Sequence, residues 1–296
     1  MSHKPQDMGA DVFLTARPRL FAVAYRMLGS VADAEDVLQE AFLRWQSAPQ
    51  DEVRDATGYL VRVVTRLCLD QLKSARVKRE SYTGAWLPEP LLTEDPTERL
   101  DHDVSVALLL ALERLTPLER AAFLLHDVFG NSHDEVAAAL DRSPAACRQL
   151  VSRARRHVQA ERPRTSVPPE EGRALTEAFF RASKTGDMAA LTQLLAQDVE
   201  LVSDGGGKVL ATLNPIYGRA KVMRLAEGLA RKSGAHLPPR WRFAMLNGLP
   251  AILSLEPEGL VQATALEIRE GRITKVYVIR NPEKTRHLAA ALQLQN

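Results

Sequence analysis

The chain has 296 residues, of which 45% are hydrophobic and 26% charged, with a formal net charge of +2. This length exceeds one average domain and the composition is ordinary for folded proteins, so a mainly disordered chain is excluded and two or three domains are favoured. The two cysteines, Cys68 and Cys147, are far apart in sequence, which argues against disulfides and a metal site, and we expect no cofactor. The N-terminus lacks an apolar signal core, and no run approaches the ~20 apolar residues of a membrane span. We therefore expect a soluble cytoplasmic protein.

Residues 11–79 carry apolar side chains at helical spacing, which predicts amphipathic helices that pack on one another. Gly29 stops the first helix, and either Ser30 or Asp33 can cap the second. A third helix is predicted over about residues 56–79. The pattern therefore indicates a small all-helical domain.

Two blocks of basic residues interrupt an otherwise balanced charge pattern. One lies at the end of the third predicted helix, within residues 73–79, and the other extends from residue 148 to residue 164. Such blocks are usually solvated helix faces, but clustered Lys and Arg are also typical of proteins that bind nucleic acid.

The segment 81–99 reads as a linker, because Pro88, Pro90 and Pro96 exclude a long regular helix. Its apolar residues, among them Trp86 and Leu87, would normally be hidden from water. Two interpretations stay open: a linker that packs on its own neighbour, or a segment that docks on another domain.

Residues 133–158 have the pattern of a helix-turn-helix. After a helix over 134–140 and a tight break, Ser143 can act as N-cap with Pro144 at the first helical position. Four residues of the second helix recur at spacings of four and three and should face the core: Cys147, Val151, Ala154 and Val158. The opposite face is rich in Arg and Gln, which can reach base edges and phosphates in a major groove. Helical hairpins that bind no DNA are also common.

Beyond a second linker, the chain changes to mixed α and β structure. Helices are predicted over about 171–185, 188–196 and 219–232. The sequence VELVSDGGGKVLATL predicts two strands joined by a glycine turn, and further strands are predicted over 241–246, 251–255, 260–268 and 273–279. We expect an α+β domain with a largely antiparallel curved sheet.

The DGGGK sequence invites comparison with a phosphate-binding loop. In such a loop the lysine precedes Ser or Thr and a helix, whereas Lys208 precedes Val209 and a predicted strand. The nucleotide-binding interpretation therefore fails, and a hairpin turn accounts for the glycines.

These motifs together resemble extracytoplasmic-function sigma factors, specifically the group with a C-terminal SnoaL-like domain. The resemblance rests on DAEDVLQEAFLRW, GYLVRVVTRLCLDQLKSAR, LTPLERAAFLLHDVFGNSHDEVAAAL with SPAACRQLVSRAR, AWLPEPL and DGGGK, and it covers nearly the whole chain. It implies two all-α sigma domains, the second with a helix-turn-helix, followed by an α+β NTF2/SnoaL-like cone. The implied boundaries are region 2 at 9–80, a linker at 81–100, region 4 at 101–162, a linker at 163–170 and the SnoaL-like domain at 171–296.

The resemblance also implies partners and residues. Core RNA polymerase would be bound at the β′ clamp and β flap, with the clamp contacts Asp33, Glu35, Asp36, Gln39, Glu40, Phe42 and Leu43. Promoter DNA would be contacted at the −10 element by Arg66, Asp70, Lys73, Arg76, Lys78 and Arg79, and at the −35 element by Arg148, Gln149, Ser152, Arg153, Arg155 and Arg156. Family members often carry Asn where Arg66 stands. Near this helix the aromatics are Tyr59 and Tyr82, which implies narrow promoter choice.

A regulatory contact between domains is implied by three motifs. They are Trp86, Leu87, Pro88, Glu89 and Pro90 in the linker, Asp204, Gly205, Gly206, Gly207 and Lys208 in the glycine loop, and Asn281, Pro282, Glu283 and Lys284 near the C-terminus. The last motif is close to the group's NPDKL sequence. We expect the C-terminal domain to replace a separate anti-sigma protein, in a chain that is monomeric when free.

A second hypothesis is a ligand-binding or catalytic SnoaL-like protein that carries an attached helix-turn-helix. Catalysis would need a positioned acid or base, and the candidates are His236, His287, Asp198 and Asp204. Their spacing indicates no pair. We therefore expect a transcription initiation factor without catalytic residues.

Overall fold

The computed structural model describes residues 5–80, 82–93, 105–159 and 167–293, and for residues 5–9, 74–80, 159 and 293 it describes the backbone only. The chain divides into two compact units. One comprises residues 1–80 and 98–162, and the other comprises residues 81–97 and 163–296. The segment 81–97 thus groups with the C-terminal residues rather than with the helices that flank it in sequence.

The first unit begins with the three helices that the sequence predicts. They are α1 (Pro5–Leu28), α2 (Val31–Gln46) and α3 (Ala56–Glu80), with a short 3₁₀ turn at Gln50–Glu52. Ser30 is the N-cap of α2, where its hydroxyl accepts a hydrogen bond from the Asp33 N–H at 3.2 Å. Leu20, Leu38 and Leu60 are buried, one from each helix, so the amphipathic faces meet in a common core.

The first unit continues with short helices whose starts are strongly capped. They are α4 (Val106–Glu113), α5 (Pro117–Phe123), a π-helical turn (Leu124–Val128), α6 (His133–Leu140) and α7 (Pro144–Gln159). Thr116 and Ser132 each form a capping box with a glutamate three residues later. The Ser143 hydroxyl accepts a hydrogen bond from the Ala146 N–H at 3.2 Å, which confirms the predicted start of α7.

The second unit is an α+β domain, as predicted. Its elements are α8 (Pro169–Thr185), α9 (Met188–Leu194), β1 (Leu195–Asp204), β2 (Ile216–Tyr217), α10 (Arg219–Ser233), β3 (Arg240–Leu246), β4 (Leu249–Leu255), β5 (Val261–Arg269), β6 (Arg272–Ile279), α11 (Pro282–Thr285) and α12 (Ala289–Gln293). In the part of the chain that the structure describes, the six strands form one sheet in the order β2-β1-β6-β5-β4-β3. Strand β1 pairs parallel with β6, and the other pairings are antiparallel. Phe179, Leu191 and Val222 from three helices pack with Leu266 and Val276 on one sheet face.

The predicted hairpin around the glycines is wrong. Residues 208–213 do not form a strand, and β1 pairs instead with the two-residue strand β2. The N–H groups of Lys208 and Val209 donate to the Gly205 carbonyl at 3.0 and 3.3 Å, so this loop closes on itself as a turn. The preceding helix is also shorter than predicted, because β1 begins at Leu195.

Among the described residues, no helix is both long and apolar enough to cross a membrane.

Candidate nucleic-acid interface and linker dock

Helix α7 separates an apolar face from a polar face. Its predicted stripe, represented by Cys147, Val151 and Ala154, is at most 1% exposed. The other face is exposed to solvent and consists of Arg148, Gln149, Ser152, Arg153, Arg155 and Arg156. This geometry suits a recognition helix, because the buried stripe fixes the helix on its domain while the cationic face stays available to DNA.

One arginine of this face is already engaged. Arg155 donates to Asp127 through Nε at 2.7 Å and through Nη2 at 2.5 Å. Asp127 lies in the π-helical turn and its side chain is 16% exposed. A bidentate pair of this kind fixes the guanidinium plane. Asp127, which sequence reasoning missed, therefore positions Arg155 on the helix-turn-helix.

Helix α3 presents the side chains predicted to contact the −10 element. Arg66, Asp70 and Lys73 are exposed, and Lys73 Nζ donates to Asp70 at 2.8 Å. Lys78 and two arginines, Arg76 and Arg79, belong to the same helix, but their side chains lie outside the described part of the chain. Tyr59 packs on Trp45, with ring centroids 5.7 Å apart.

Helix α2 presents an exposed face of mixed acidic and apolar character. Asp36, Gln39, Glu40 and Leu43 recur at helical spacing and are exposed, Leu43 by 58%. The remaining predicted residues, Asp33, Glu35 and Phe42, are half-buried. Glu35 accepts a hydrogen bond from Arg17 at 2.6 Å, and the Phe42 ring packs on Phe13 at 4.9 Å.

Asp204, at the end of β1, is the centre of a site that binds residues 82–93. We call this segment the linker and the site the linker dock. The Asp204 side chain is fully buried, yet its carboxylate accepts four hydrogen bonds. Oδ1 accepts from the Tyr82 hydroxyl at 2.6 Å and the Gly206 N–H at 3.0 Å, and Oδ2 accepts from the Leu87 N–H and Lys284 Nζ, both at 2.8 Å. Buried charge is tolerated only when it is paired in this way.

Lys284 holds the linker by three kinds of contact. Besides its pair with Asp204, Nζ donates to the Leu87 carbonyl at 2.6 Å. It also lies 4.4 Å from the ring centroid of Trp86 and 4.9 Å from that of Tyr82. Cation–π contacts contribute up to ~2 kcal/mol when desolvated, and the Lys284 side chain is only 12% exposed. The predicted Trp86 and Lys284 motifs therefore meet.

The glycines after Asp204 allow close approach to the linker and to the motif near the C-terminus. Gly206 and Gly207 have φ angles of +62° and +70°. A Cβ atom on Gly206 would lie 2.3 Å from Asn281 Nδ2, and one on Gly207 would lie 2.9 Å from the Thr83 side chain. Both positions thus require glycine for backbone angle and for space.

Three further predicted residues lie at the edge of the dock. Asn281 caps α11 by accepting from the Glu283 N–H at 3.1 Å, and its Nδ2 donates to the Tyr82 hydroxyl at 2.9 Å. Lys208 pairs with Glu283, and both are largely exposed, so this ion pair contributes little stability.

The second half of the linker binds the turn between β3 and β4. Leu91 forms two hydrogen bonds with Asn247. Its N–H donates to Asn247 Oδ1 at 3.0 Å, and its carbonyl oxygen accepts from the Asn247 N–H at 2.8 Å. The Thr93 N–H donates to the Met245 carbonyl at 3.0 Å. The linker thus adds strand-like pairing to the sheet edge, a contact that sequence reasoning did not predict.

His287 contacts the linker between these two anchors. Its Nε2 lies 2.8 Å from the Pro90 carbonyl oxygen, and its Nδ1 lies 3.2 Å from Glu89 Oε1. Glu89 is 5% exposed and Leu87 is fully buried. The apolar linker therefore packs on the C-terminal domain, which decides between the two interpretations left open by the sequence.

Tyr82 lies in the dock, so counting it with Tyr59 among the aromatics of the helix predicted to read the −10 element is wrong. Burial raises the pKa of its hydroxyl well above the usual range, and the hydrogen bond to Asp204 raises it further. The phenol therefore stays protonated at physiological pH and keeps its role as a donor.

Comparison with known proteins decides the family. The family description of sigma-70 region 2 matches residues 12–77, and that of sigma-70 region 4 matches residues 105–158. The ECF RNA polymerase sigma factor SigJ of Mycobacterium tuberculosis is 38% identical over 295 residues, which cover 94% of this chain and 93% of that protein. This chain belongs to the extracytoplasmic-function sigma factors.

A second relative and a solved structure agree with this assignment. A probable ECF RNA polymerase sigma factor of M. tuberculosis, SigI, is 34% identical over 93% of this chain and 94% of its own. The crystal structure of M. tuberculosis SigJ matches with a TM-score of 0.75 and 34% identity, over 96% of this chain and 98% of that one. The predicted family and the fold class, two helical sigma regions followed by an α+β domain, are confirmed.

This sigma factor is an alternative initiation factor that directs RNA polymerase to its promoters. Region 2 corresponds to α1–α3 and region 4 to α4–α7. The helix-turn-helix is thus part of a sigma factor and not an attachment to an independent SnoaL-like protein.

Proposed function

We propose that this sigma factor binds the β′ clamp through the exposed face of α2 and the β flap through region 4, while α3 reads the −10 element and α7 the −35 element. The exposed Asp36, Glu40 and Leu43 support the clamp contact, since an acidic and apolar surface favours a basic partner. The cationic face of α7 supports the DNA contact. We place this activity in the bacterial cytoplasm and expect a monomeric free chain. The sequence-derived domain boundaries are part of the proposal.

The linker dock is the proposed regulatory element, and the buried Asp204–Lys284 pair is the observation that carries it. The linker joins the helix proposed to read the −10 element to region 4. About 25 residues separate Glu80 from Val106, and they can extend over ~85 Å. When residues 82–93 are docked, these 12 residues no longer extend freely, and the reach falls by up to ~40 Å. The dock therefore restrains how far region 4 can move from region 2.

The C-terminal domain is proposed to act by holding the linker rather than by catalysis. Of the four acid or base candidates, Asp204 and His287 are engaged by the linker itself. The other two, Asp198 and His236, are exposed on the surface. Catalytic groups are instead placed in water-excluding pockets beside a reacting group.

The test of the dock is transcription in vitro by the variant Lys284→Met, with core polymerase limiting. Methionine keeps the apolar length of the side chain but removes the ammonium that binds Asp204, the Leu87 carbonyl and the two aromatic rings. Loss of hydrogen bonds to a charged group costs ~1.5–3 kcal/mol. We expect a more accessible linker in limited proteolysis and about tenfold more initiation.

The matched control is Lys221→Met, which removes the same charge from an exposed position on α10. Its linker cleavage and its transcription should equal those of the unmodified chain. If Lys284→Met also initiated at the unmodified level at every polymerase concentration, the dock would have no regulatory role.

A further inference from the structure

Helix α10 of the C-terminal domain carries an exposed cluster of positive charge. On the helix surface, Gly228 has cations at the positions four residues before it, three after it and four after it, and residues at these spacings are neighbours on one face. These exposed cations are Arg224, Arg231 and Lys232. The opposite face contains Val222, which is 2% exposed and fixes the helix on its domain. We call Gly228 and its three cations the basic patch.

The charges of the basic patch face solvent. Among the residues that the structure describes, no carboxylate forms an ion pair with Arg224, Arg231 or Lys232. The one acidic residue of α10, Glu227, is exposed on the flank of the patch, about 100° round the helix from Gly228. The helix dipole favours Arg231 and Lys232, which lie in the last turn. Arg224 lies mid-helix, so this effect does not account for its charge.

Gly228 is a glycine that the fold of the domain does not require. A glycine inside a helix is destabilising relative to alanine. A Cβ atom at Gly228 would meet no neighbouring group within 4 Å, and the φ angle of this residue is not positive. The missing side chain instead lets an extended anion approach the helix backbone between the surrounding cations.

The domain that carries the basic patch is tethered close to the recognition helix. Helix α7 ends at Gln159 and α8 begins at Pro169, so residues 160–168 join them. This segment reaches at most ~35 Å, which is the length of about ten base pairs of B-DNA at 3.4 Å per pair. When α7 lies on the −35 element, the tether therefore holds the C-terminal domain near promoter DNA at a high effective concentration.

We propose that the basic patch binds the phosphate backbone of promoter DNA upstream of the −35 element. Region 2 and its contact with the −10 element lie on the downstream side, so the upstream DNA is the side left for the C-terminal domain. Phosphate contacts carry no sequence information and add affinity by release of counterions. The inference rests on the proposed reading of the −35 element by α7, but not on the linker dock.

Binding of the polymerase holoenzyme to two promoter fragments tests this proposal. One fragment ends at the −35 element, and the other extends about 20 base pairs further upstream, the span within reach of the tether and a domain ~40 Å wide. Each phosphate contact contributes about 0.9 to the slope of log affinity against log salt concentration. Three cations should make the slope for the longer fragment steeper by about 2.7. Equal slopes for the two fragments would overturn the proposal.

Substitutions on two helices assign the difference in slope to the basic patch rather than to polymerase. Arg224→Gln combined with Arg231→Gln should reduce the slope for the longer fragment by about 1.8, because two phosphate contacts are lost. Gly228→Gln fills the centre of the patch and should also reduce this slope, at unchanged net charge. The matched control, Arg173→Gln combined with Arg181→Gln, removes two exposed cations from α8 and should leave the slope unchanged. An unchanged slope in the first variant, or an equal loss in the control, would contradict the proposal.

The fragment that ends at the −35 element separates this proposal from the proposed function. On that fragment the patch variants should bind as the unmodified chain does, whereas Arg148→Ala should lose preference for the −35 element. Retained preference in Arg148→Ala would count against the assignment of α7. Weaker binding of the patch variants to both fragments alike would show that the patch contacts polymerase instead of upstream DNA, and would overturn the inference alone.

Discussion

Replacement of Asp204 by asparagine should release the linker and destabilise the second unit by about 3–5 kcal/mol, the cost of breaking a buried ion pair from one side. The amide has the shape of the carboxylate but carries no charge, so the Lys284 ammonium would remain 12% exposed without its counter-ion. Asp204 Oδ2 accepts hydrogen bonds at 2.8 Å from the Leu87 N–H and from Lys284 Nζ. An amide nitrogen in its place cannot accept them. Urea denaturation of the full chain measures the effect.

Asp198→Asn is the matched control, because Asp198 lies on the same strand and is exposed. Exposed substitutions of this kind usually change stability by no more than about 0.5 kcal/mol. If Asp204→Asn unfolded at the same urea concentration as Asp198→Asn, the carboxylate would not be the anchor of the dock.

The recognition helix should show the second large effect. Arg148→Ala and Gln149→Ala each remove an exposed side chain from the first turns of α7, where helix-turn-helix proteins contact base edges. A base contact contributes ~1–3 kcal/mol of discrimination, so each variant should lose about fivefold to 150-fold preference for the −35 element. Competition between the promoter and a copy with an altered −35 element, on the polymerase holoenzyme, measures this preference.

Two other arginines provide the comparison for these variants. Arg173→Ala removes an exposed cation from the C-terminal domain and should leave the preference unchanged. Arg155→Gln should affect stability more than base preference, because Asp127 already binds two nitrogens of its guanidinium. Loss of −35 preference by Arg173→Ala, or full preference retained without Arg148 and Gln149, would contradict the assignment of α7.

Local sequence signals predicted the helical unit well. Ser143 caps its helix as expected, Ser30 is the cap of the two candidates for α2, and the stripe that includes Cys147 is buried. Caps and apolar periodicity act within a few residues of the chain, so they can be read from the sequence directly. The exposed arginines of α7 follow from the same periodicity.

Contacts that depend on distant parts of the chain were harder to predict. The sequence of the glycine loop predicted a hairpin. Instead, the Asp204 side chain at the end of β1 binds the linker through the Leu87 N–H, and the loop forms a turn on the Gly205 carbonyl. The apolar character of Trp86 and Leu87 indicated burial, but their partner in the glycine loop was implied only by the family resemblance. Nothing local distinguishes Asp204 from an exposed carboxylate, or shows that Tyr82 belongs to the dock, because Asp204 is 122 residues from Tyr82 and 80 from Lys284.

Hydrogen exchange of residues 82–93 in the free sigma factor and in its promoter complex with polymerase tests the central claim most directly. The N–H groups of Leu87, Leu91 and Thr93 all donate to the C-terminal domain in the dock. We predict slow exchange in the free chain and markedly faster exchange in the initiating complex, because release of the linker accompanies promoter binding. Equally slow exchange in an actively initiating complex would show that the dock stays closed and does not regulate initiation.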